Sequence, residues 1–152
     1  MIRLFNEEDF PELLRLGKMM HEESNFRTLD FIDSKLIEIG KRCINTPNDY
    51  LGILNENNGE INGMFIGYIT PFFFSDQKIA TDFVLFINPE HRGGTLAIRF
   101  ILEYEKWAKE NNAKQIKLGI YTGVNEYRTS ELYKHLGYKH SGVTFKKEIH
   151  YV

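Results

Sequence analysis

Residues 78–111 read KIATDFVLFINPEHRGGTLAIRFILEYEKWAKEN, which divides into a strand, a turn and a helix. Residues 79–87 are rich in Ile, Val, Leu and Phe with one internal charge, Asp82, so they predict a strand that is buried on at least one face. Gly93 and Gly94 then permit backbone angles that are closed to other residues, and Thr95 is a residue type suited to open a helix. After it, apolar side chains recur at spacings of three and four, which predicts an amphipathic helix with one face on the core. These side chains are Ala97, Phe100, Ile101, Tyr104, Trp107 and Ala108.

The glycine turn before this helix has the features of an anion site. Free N–H groups and the helix dipole attract an anion to a helix N-terminus, and glycines let a phosphate approach the backbone closely. Arg92 adds a positive side chain at the mouth of the turn. We interpret the turn as a site for a phosphate or pyrophosphate, and a plain tight connection between strand and helix stays open as the alternative.

A family resemblance bears on this turn. Residues 87–97, INPEHRGGTLA, resemble motif A of the GNAT N-acetyltransferases, in which a strand ends in a Pro-containing turn that runs through Arg/Gln-x-x-Gly-x-Gly/Ala into a helix. Arg92 matches the Arg/Gln and Ala97 matches the final Gly/Ala, whereas Thr95 replaces the middle Gly and Gly94 supplies a glycine one position early. In the family this turn wraps the pyrophosphate of acetyl-CoA. The resemblance implies cofactor binding by Arg92, Gly93, Gly94, Thr95, Leu96 and Ala97.

A second segment carries the same resemblance. Residues 131–138, ELYKHLGY, are similar to the Leu-Tyr-Glu-Lys-Leu-Gly-Phe segment near the C-terminus of the family. Two motifs in the right order are more specific than either alone, and the chain is particularly similar to short members encoded by bacteriophages. The resemblance implies that the hydroxyl of Tyr133 lies near the thioester sulfur and donates a proton to the departing thiolate. Packing of Tyr133 in the core is the alternative.

The resemblance implies further cofactor contacts beside the turn. The family's sheet splays open near residues 85–87, where backbone N–H groups would hold the acetyl carbonyl or the pantetheine amides. Asn125 resembles the CoA-contacting Asn that precedes the last helix of the family. The predicted cofactor contacts here are Leu85, Phe86, Ile87 and Asn125.

The general base is less well defined by the sequence. Asp82 is the only carboxylate inside the key strand, and partial burial would raise its pKa toward the range in which it accepts a proton from an amine. A strand-end charge that faces solvent is the alternative, and Glu22 or Glu23 are the other candidates.

The break between the first two predicted helices is the predicted acceptor site. It is polar and ends in an aromatic residue, and in the family this break borders the acceptor pocket. We expect acceptor contacts from Glu22, Glu23, Ser24 and Phe26. The two carboxylates favour a cationic acceptor, and a solvated loop with Phe26 packed down is the alternative.

Composition limits the class of protein. With 152 residues, 42% hydrophobic and 14% aromatic, the chain is predicted to fold as one domain over residues 1–152. The net charge of -2, with both signs interspersed, gives no overall field for nucleic acid or an anionic membrane. The single cysteine, Cys43, is interpreted as a buried thiol, and the N-terminus holds no apolar run typical of a signal peptide or a membrane span. We therefore expect a cytoplasmic protein.

The remaining chain predicts a mixed α/β (α+β) domain. A strand at 1–5 precedes helices at about 7–21 and 30–43, and strands at 49–55 and 61–74 flank an Asn-Gly turn. After the long helix we expect a strand at 115–122, a helix at 126–136 and two short strands within 137–152. The order β-α-α-β-β-β-α-β-α-β-β resembles the whole GNAT fold. That fold implies a central, mixed and mostly antiparallel sheet flanked by helices, which splays between its fourth and fifth strands with CoA in the split.

The sequence thus predicts an acetyl-CoA-dependent N-acetyltransferase that acts by direct transfer to an amine in a ternary complex. The alternative is a catalytically inactive GNAT-fold protein that binds CoA or another protein. The five histidines show no paired spacing typical of metal sites, and no nucleophile-elbow or Walker motif indicates a hydrolase or an NTPase. Expected partners are acetyl-CoA, an amine and, since short members of the family often dimerise, a second copy of the chain.

Overall fold

The structure is a computed structural model that describes residues 1–120 and 123–152 of the chain. Within these residues the chain forms strands β1 (Ile2–Leu4), β2 (Tyr50–Asn57), β3 (Glu60–Pro71), β4 (Lys78–Ile87) and β5 (Ala113–Ile116). The α-helices are α1 (Phe10–Glu23), α2 (Asp33–Asn45), α3 (Leu96–Glu110) and α4 (Glu126–His135). Short 3-10 helices precede α1 and follow β4, at Glu7–Asp9 and Pro89–His91.

The five strands form one mixed sheet in the order β1-β2-β3-β4-β5. The first three pairings are antiparallel and the β4–β5 pairing is parallel. The turn between β2 and β3 contains Asn58 at φ 52° and Gly59 at φ 79°, the left-handed conformations that the Asn-Gly pair favours in a tight hairpin. The predicted fold class and the predicted hairpin are therefore confirmed.

Helices cover both faces of this sheet. On one face, α1 and α2 pack against alternate strand residues such as Met64 and Ile66. On the other, α3 packs against the intervening residues, including Phe65 and Ile69. This alternation follows from the period of two along a strand. The buried residues of α3 are Leu96, Phe100, Ile101, Tyr104, Trp107 and Ala108, which is the predicted stripe with Leu96 in place of Ala97.

The sheet opens between β4 and β5. Their pairing runs from Lys78 opposite Ala113 to Ala80 opposite Ile116, and the amide of Lys117 adds one more bond to the carbonyl of Ala80. Two residues further on, the contact between the strands involves a side chain instead of two backbones: the amide of Gly119 donates to the carboxylate of Asp82. From there β4 continues to Ile87 without a strand on this edge among the described residues. This is the predicted splay between the fourth and fifth strands.

Two strand predictions were wrong in detail. The strand predicted at 115–122 is β5, which lies at Ala113–Ile116, and residues 121–122 of that prediction lie outside the described residues. Residues 137–152 contain no strand, although two were predicted. Apolar residues do alternate there, but Val143, Phe145 and Ile149 are exposed, and none of the five strands pairs with this segment. No helix in the described part of the chain is long and apolar enough to cross a membrane.

Candidate active site

A cavity of about 400 Å³ opens where β4 and β5 separate. Its walls come from β4, the end of α1, the turn before α3, and α4. This volume is within the range typical of small-molecule sites. The strand, the turn and α4 therefore meet around one space, as the two sequence motifs predicted.

The glycine turn lies open to this cavity. Gly93 has φ +95°, a conformation that side-chain-bearing residues rarely adopt, and an added Cβ on Gly94 would meet no atom within 4 Å. Thr95 is the N-cap of α3, but its side chain makes no cap hydrogen bond, so it does not occupy the first amides of the helix. The turn thus leaves room and backbone donors for a phosphate group.

Arg128 is a basic residue at this turn that the sequence interpretation missed. Its Nη2 atom lies 3.8 Å from the position that a Cβ on Gly93 would take, and it lines the cavity. Asn125, at the N-cap of α4, also lines the cavity; its backbone is left-handed (φ 49°), and its side chain makes no cap hydrogen bond to the helix. Arg128 follows Asn125 by three residues, so both lie on one side of α4. That spacing is the signal that could have found Arg128.

Arg92 is placed differently from the expectation. Its guanidinium pairs with the carboxylate of Glu23 at the end of α1, and its Nε donates to the carbonyl of Ile87 at 2.8 Å. It also lies over the ring of Phe86, 5.3 Å from the centroid. Arg92 therefore lines the cavity but connects the turn to α1, and it does not stand free at the mouth of the turn.

Asp82 is buried at the point where the strands part. Its side chain is 9% exposed and accepts hydrogen bonds from the Gly119 amide at 3.1 and 3.3 Å. Burial raises the pKa of Asp82 to about 6, and the Gly119 amide opposes part of that increase. The alternative of a solvent-facing charge is wrong, because the carboxyl group is enclosed.

Tyr133 reaches the same peptide from α4. It is 8% exposed and lines the cavity, and its hydroxyl donates to the carbonyl of Gly119 at 3.2 Å. Tyr133 is therefore buried and also lines the cavity, so packing in the core and proton donation are compatible for this residue.

Most predicted site residues come together in this cavity. In addition to those described above, the lining includes Leu85, Phe86, Ile87, Leu96, Ala97 and Phe26. Thr95, Glu22 and Ser24 lie outside the lining. The Ser24 side chain is buried instead in a local turn, where its hydroxyl donates to His21 and accepts from the Phe26 amide.

Phe83 is a second cavity residue that the sequence interpretation missed. In the β3–β4 register, Ile66 lies opposite Val84 and Gly67 lies opposite Asp82, so Phe83 is the extra residue of a β-bulge. It is 47% exposed and lines the cavity. A bulge depends on the pairing of two strands, and the sequence of β4 alone contains no signal for it.

The ionisable groups near the cavity include a histidine beside a carboxylate. His91 lies in the lining, and its Nε2 is 3.6 Å from a carboxylate oxygen of Glu60. Among the described residues, no group of three or more His, Cys, Asp or Glu side chains is arranged to hold a metal ion. The polar side chains that line the cavity include two guanidinium groups, two carboxylates, an imidazole and a phenol.

Comparisons with known proteins agree with this geometry. The family model described as Acetyltransferase (GNAT) family matches residues 11–138. A solved structure of a transcriptional regulator from Bacillus halodurans has a TM-score of 0.78 and 19% identity, and the match covers 98% of this chain and 99% of that one. AAC(6')-Iy, solved with the bisubstrate analog CoA-S-monomethyl-acetylneamine, has a TM-score of 0.75 and 14% identity over 98% and 97% of the two chains.

A ribosomal-protein-alanine N-acetyltransferase from Brucella melitensis has a TM-score of 0.73 and 15% identity, over 98% of this chain and 99% of that one. At these identities the structural matches establish a shared fold. A comparison with curated protein sequences gave no match.

Proposed function

The chain belongs to the Acetyltransferase (GNAT) family, and we propose that it is an N-acetyltransferase that moves an acetyl group from acetyl-CoA to a primary amine. Transfer is direct, in a ternary complex of protein, acetyl-CoA and amine. Acetyl-CoA is present in the cytoplasm, where we propose that the protein acts.

One observation carries this proposal: a single cavity contains the open glycine turn together with Asp82 and Tyr133. An anion site, a group able to accept a proton and a group able to donate one are the parts that acetyl transfer from a CoA thioester to an amine requires.

The anionic part of acetyl-CoA fits the turn. The amides of Gly93, Gly94 and the first turn of α3 are donors for its diphosphate, and Arg128 adds a positive charge beside them. Asn125 offers a side chain that α4 does not use as a cap. Bound there, acetyl-CoA supplies an activated acetyl thioester.

Residues of β4 lie where the thioester would be polarised. Beyond Asp82 this strand has no partner on the β5 side among the described residues, and Leu85, Phe86 and Ile87 line the cavity. Backbone amides on such an edge are donors that need no reorganisation when negative charge develops on a carbonyl oxygen.

Asp82 is the proposed base. The amine nitrogen must lose a proton as it bonds to the acetyl carbon, and a buried carboxylate whose pKa is raised to about 6 accepts that proton more readily than an exposed one. It does so directly or through a water molecule. The Gly119 amide holds the carboxylate in one orientation.

Tyr133 is the proposed acid. As the carbon–sulfur bond breaks, the thiolate takes the proton of the Tyr133 hydroxyl, and Tyr133 regains a proton from solvent. The bond from this hydroxyl to Gly119 fixes the phenol at the cavity wall. The products are an N-acetyl amide and the CoA thiol.

The proposal is tested in two steps with the full chain. Calorimetric titration with acetyl-CoA measures binding, and release of the CoA thiol is then followed with a panel of primary amines. We expect acetyl-CoA to bind and the CoA thiol to be released only when an acceptor amine is present. Binding without release from any amine would favour the inactive CoA-binding alternative, and absence of binding would overturn the proposal.

A further inference from the structure

One part of the cavity wall has a distinct composition. It is contributed by α1, the segment after it and the bulge of β4, and its apolar side chains are the partly buried Met20 and the exposed Phe26 and Phe83. The turn and Arg128 account for the anionic end of acetyl-CoA, so this wall is the surface that remains for the amine. Its chemistry therefore indicates the class of acceptor.

Charge at the cavity is nearly balanced. Among its described lining residues, the carboxylates are Asp82 and Glu23, and Arg92 and Arg128 oppose them. Glu23 is already paired with Arg92, and Asp82 is buried against the Gly119 amide. An acceptor with several ammonium groups would have to remove them from water with too few carboxylates to pair with. The expectation of a cationic acceptor, which rested on Glu22 and Glu23, stays a prediction for an amine with a single charge: Glu22 lies outside the lining, whereas Glu23 lies within it and is paired with Arg92.

Phe83 offers a preformed apolar face instead. Phe83 is the extra residue of the bulge and lines the cavity, and its ring packs on Tyr68, with centroids 4.5 Å apart. The Phe83 ring also stacks directly on Tyr50, with centroids 6.5 Å apart, and Tyr50 and Tyr68 stack on each other. The guanidinium of Arg42 lies over the Tyr50 ring. Because two tyrosine rings hold the Phe83 ring in place, little conformational entropy is lost when a ligand packs on its exposed side.

Phe26 completes an aromatic site around this face. Its ring is 38% exposed and lines the same cavity, and Met20 of α1, which is partly buried, contributes a flexible apolar side chain to the lining. Exposed aromatic side chains that converge on one cavity are typical of a binding site for a flat apolar group.

We propose that the acceptor is a monoamine whose amino group is attached to an aromatic or similarly flat apolar group, which packs on Phe83 between Phe26 and Met20. This inference rests on the proposed function and specifies its substrate class. Polycationic amines are poor acceptors for this protein.

The experiment compares 2-phenylethylamine, ethylamine and spermidine as acceptors under identical conditions. We expect kcat/KM for 2-phenylethylamine to exceed that for each of the other two at least tenfold. In Phe83→Ala the ratio of kcat/KM for 2-phenylethylamine to that for ethylamine should fall at least tenfold, and Phe83→Leu should restore part of it. Phe73→Ala, which removes an exposed ring outside the cavity lining, is the matched control and should preserve the ratio.

The outcomes separate this inference from the proposed function. If acetyl-CoA binds and spermidine or ethylamine is the better acceptor, the inference is wrong while the proposed function stands. An equal loss for both monoamines in Phe83→Ala would also overturn it, and circular dichroism and thermal melting establish whether that variant is folded. If acetyl-CoA does not bind, the proposed function fails and the inference fails with it. If no amine is acetylated, the inference is tested by calorimetric titration of 2-phenylethylamine into the CoA-loaded protein. Binding supports the inference, and absence of binding overturns it.

Discussion

Asp82 and Tyr133 hydrogen-bond to opposite ends of one residue: the carboxylate accepts from the amide of Gly119, and the phenol donates to its carbonyl. The proposed base and the proposed acid come from β4 and α4, 51 residues apart in the chain as their numbers give. The short backbone segment after β5 that contains Gly119 therefore sets their relative position. It can do so because β4 and β5 no longer pair through their backbones at this point.

Replacing Asp82 by Asn should stabilise the protein in a pH-dependent manner. The folded state holds the Asp82 proton more tightly than the unfolded chain, because burial raises the pKa to about 6 from an ordinary value of 3.8. Ionisation therefore costs the wild type stability as pH rises from about 4 to 6, and Asn avoids that cost. We expect the difference in unfolding free energy between the variant and the wild type to shift in favour of the variant by about 2–3 kcal/mol between pH 4 and pH 7.5.

The measurement is urea denaturation of both proteins across this pH range, with Asp76→Asn, at an exposed turn position, as the control. If the stability gained by Asp82→Asn does not change with pH, or if Asp76→Asn gains as much, the raised pKa of Asp82 is contradicted. Acetyl transfer by Asp82→Asn should fall at least about 100-fold, which is the size typical of losing a general base.

Replacing Tyr133 by Phe should remove the proton donor and leave the ring. We expect kcat to fall by about 100-fold, while the affinity for acetyl-CoA changes less than about threefold, because the phenol acts on the departing sulfur and not on the diphosphate. Steady-state kinetics and calorimetry separate the two effects. Tyr127→Phe, the same change at a position of α4 that is 80% exposed, is the control. Unchanged kcat in Tyr133→Phe would assign this residue to packing alone.

Replacing Gly94 by Asp should abolish acetyl-CoA binding. A carboxylate in the open space beside Gly94 would fill the space in which we propose that a phosphate binds, and its negative charge would repel the phosphate. Gly94→Ala adds only a methyl group, which meets no atom within 4 Å, so it is the matched control and should remain folded. Gly93→Asp should have the same effect on binding with an added cost of strain, because φ at Gly93 is +95°. Calorimetric affinity that persists in Gly94→Asp would show that the diphosphate binds elsewhere.

Replacing Arg128 by Ala should weaken acetyl-CoA binding about tenfold, a loss typical of one charge-assisted contact. The guanidinium lies beside Gly93, and α4 supplies no other cation to the lining among the described residues. The affinity of the variant should also depend less steeply on salt concentration. Lys134→Ala is the control in the same helix, since Lys134 pairs with Glu131 outside the cavity. Equal losses in both variants would indicate a general charge effect.

Replacing Glu23 by Gln should strengthen acetyl-CoA binding about two- to fivefold at low salt. In the wild type the carboxylate of Glu23 holds the guanidinium of Arg92, and both side chains are partly exposed. Without that charge, Arg92 contributes more of its own charge to the diphosphate. Glu22→Gln, at an exposed position outside the lining, is the control. Weaker binding in Glu23→Gln would instead mean that the ion pair holds the turn in its binding conformation.

Features of this protein that depend on nearby residues could be predicted from the sequence. The hairpin at Asn58 and Gly59 follows from the conformations those two residue types adopt, and the buried stripe of α3 follows from spacing along one helix. The glycine turn was predictable for the same reason. Its interpretation as a phosphate or pyrophosphate site came from the residue types, and its assignment to acetyl-CoA came from the family resemblance; both stay predictions.

Features that depend on distant pairing could not be predicted in this way. Glu23 and Arg92 are 69 residues apart, and nothing near either of them indicates the other. The bulge that exposes Phe83 arises from the register between two strands. The alternation within 137–152 satisfied the pattern for a strand, but a strand also needs a neighbouring edge, which the pattern does not contain. A homodimer and a similarity to phage-encoded members stay predictions.

The bulge in β4 has a consequence for how acceptor preference can diversify. Asp82 and Phe83 are adjacent, so an insertion or deletion there would move the proposed proton acceptor and the ring together. Substitution at position 83 changes the ring while the backbone that carries Asp82 stays in place. New specificities should therefore evolve by exchange of that side chain and not by changes in strand length.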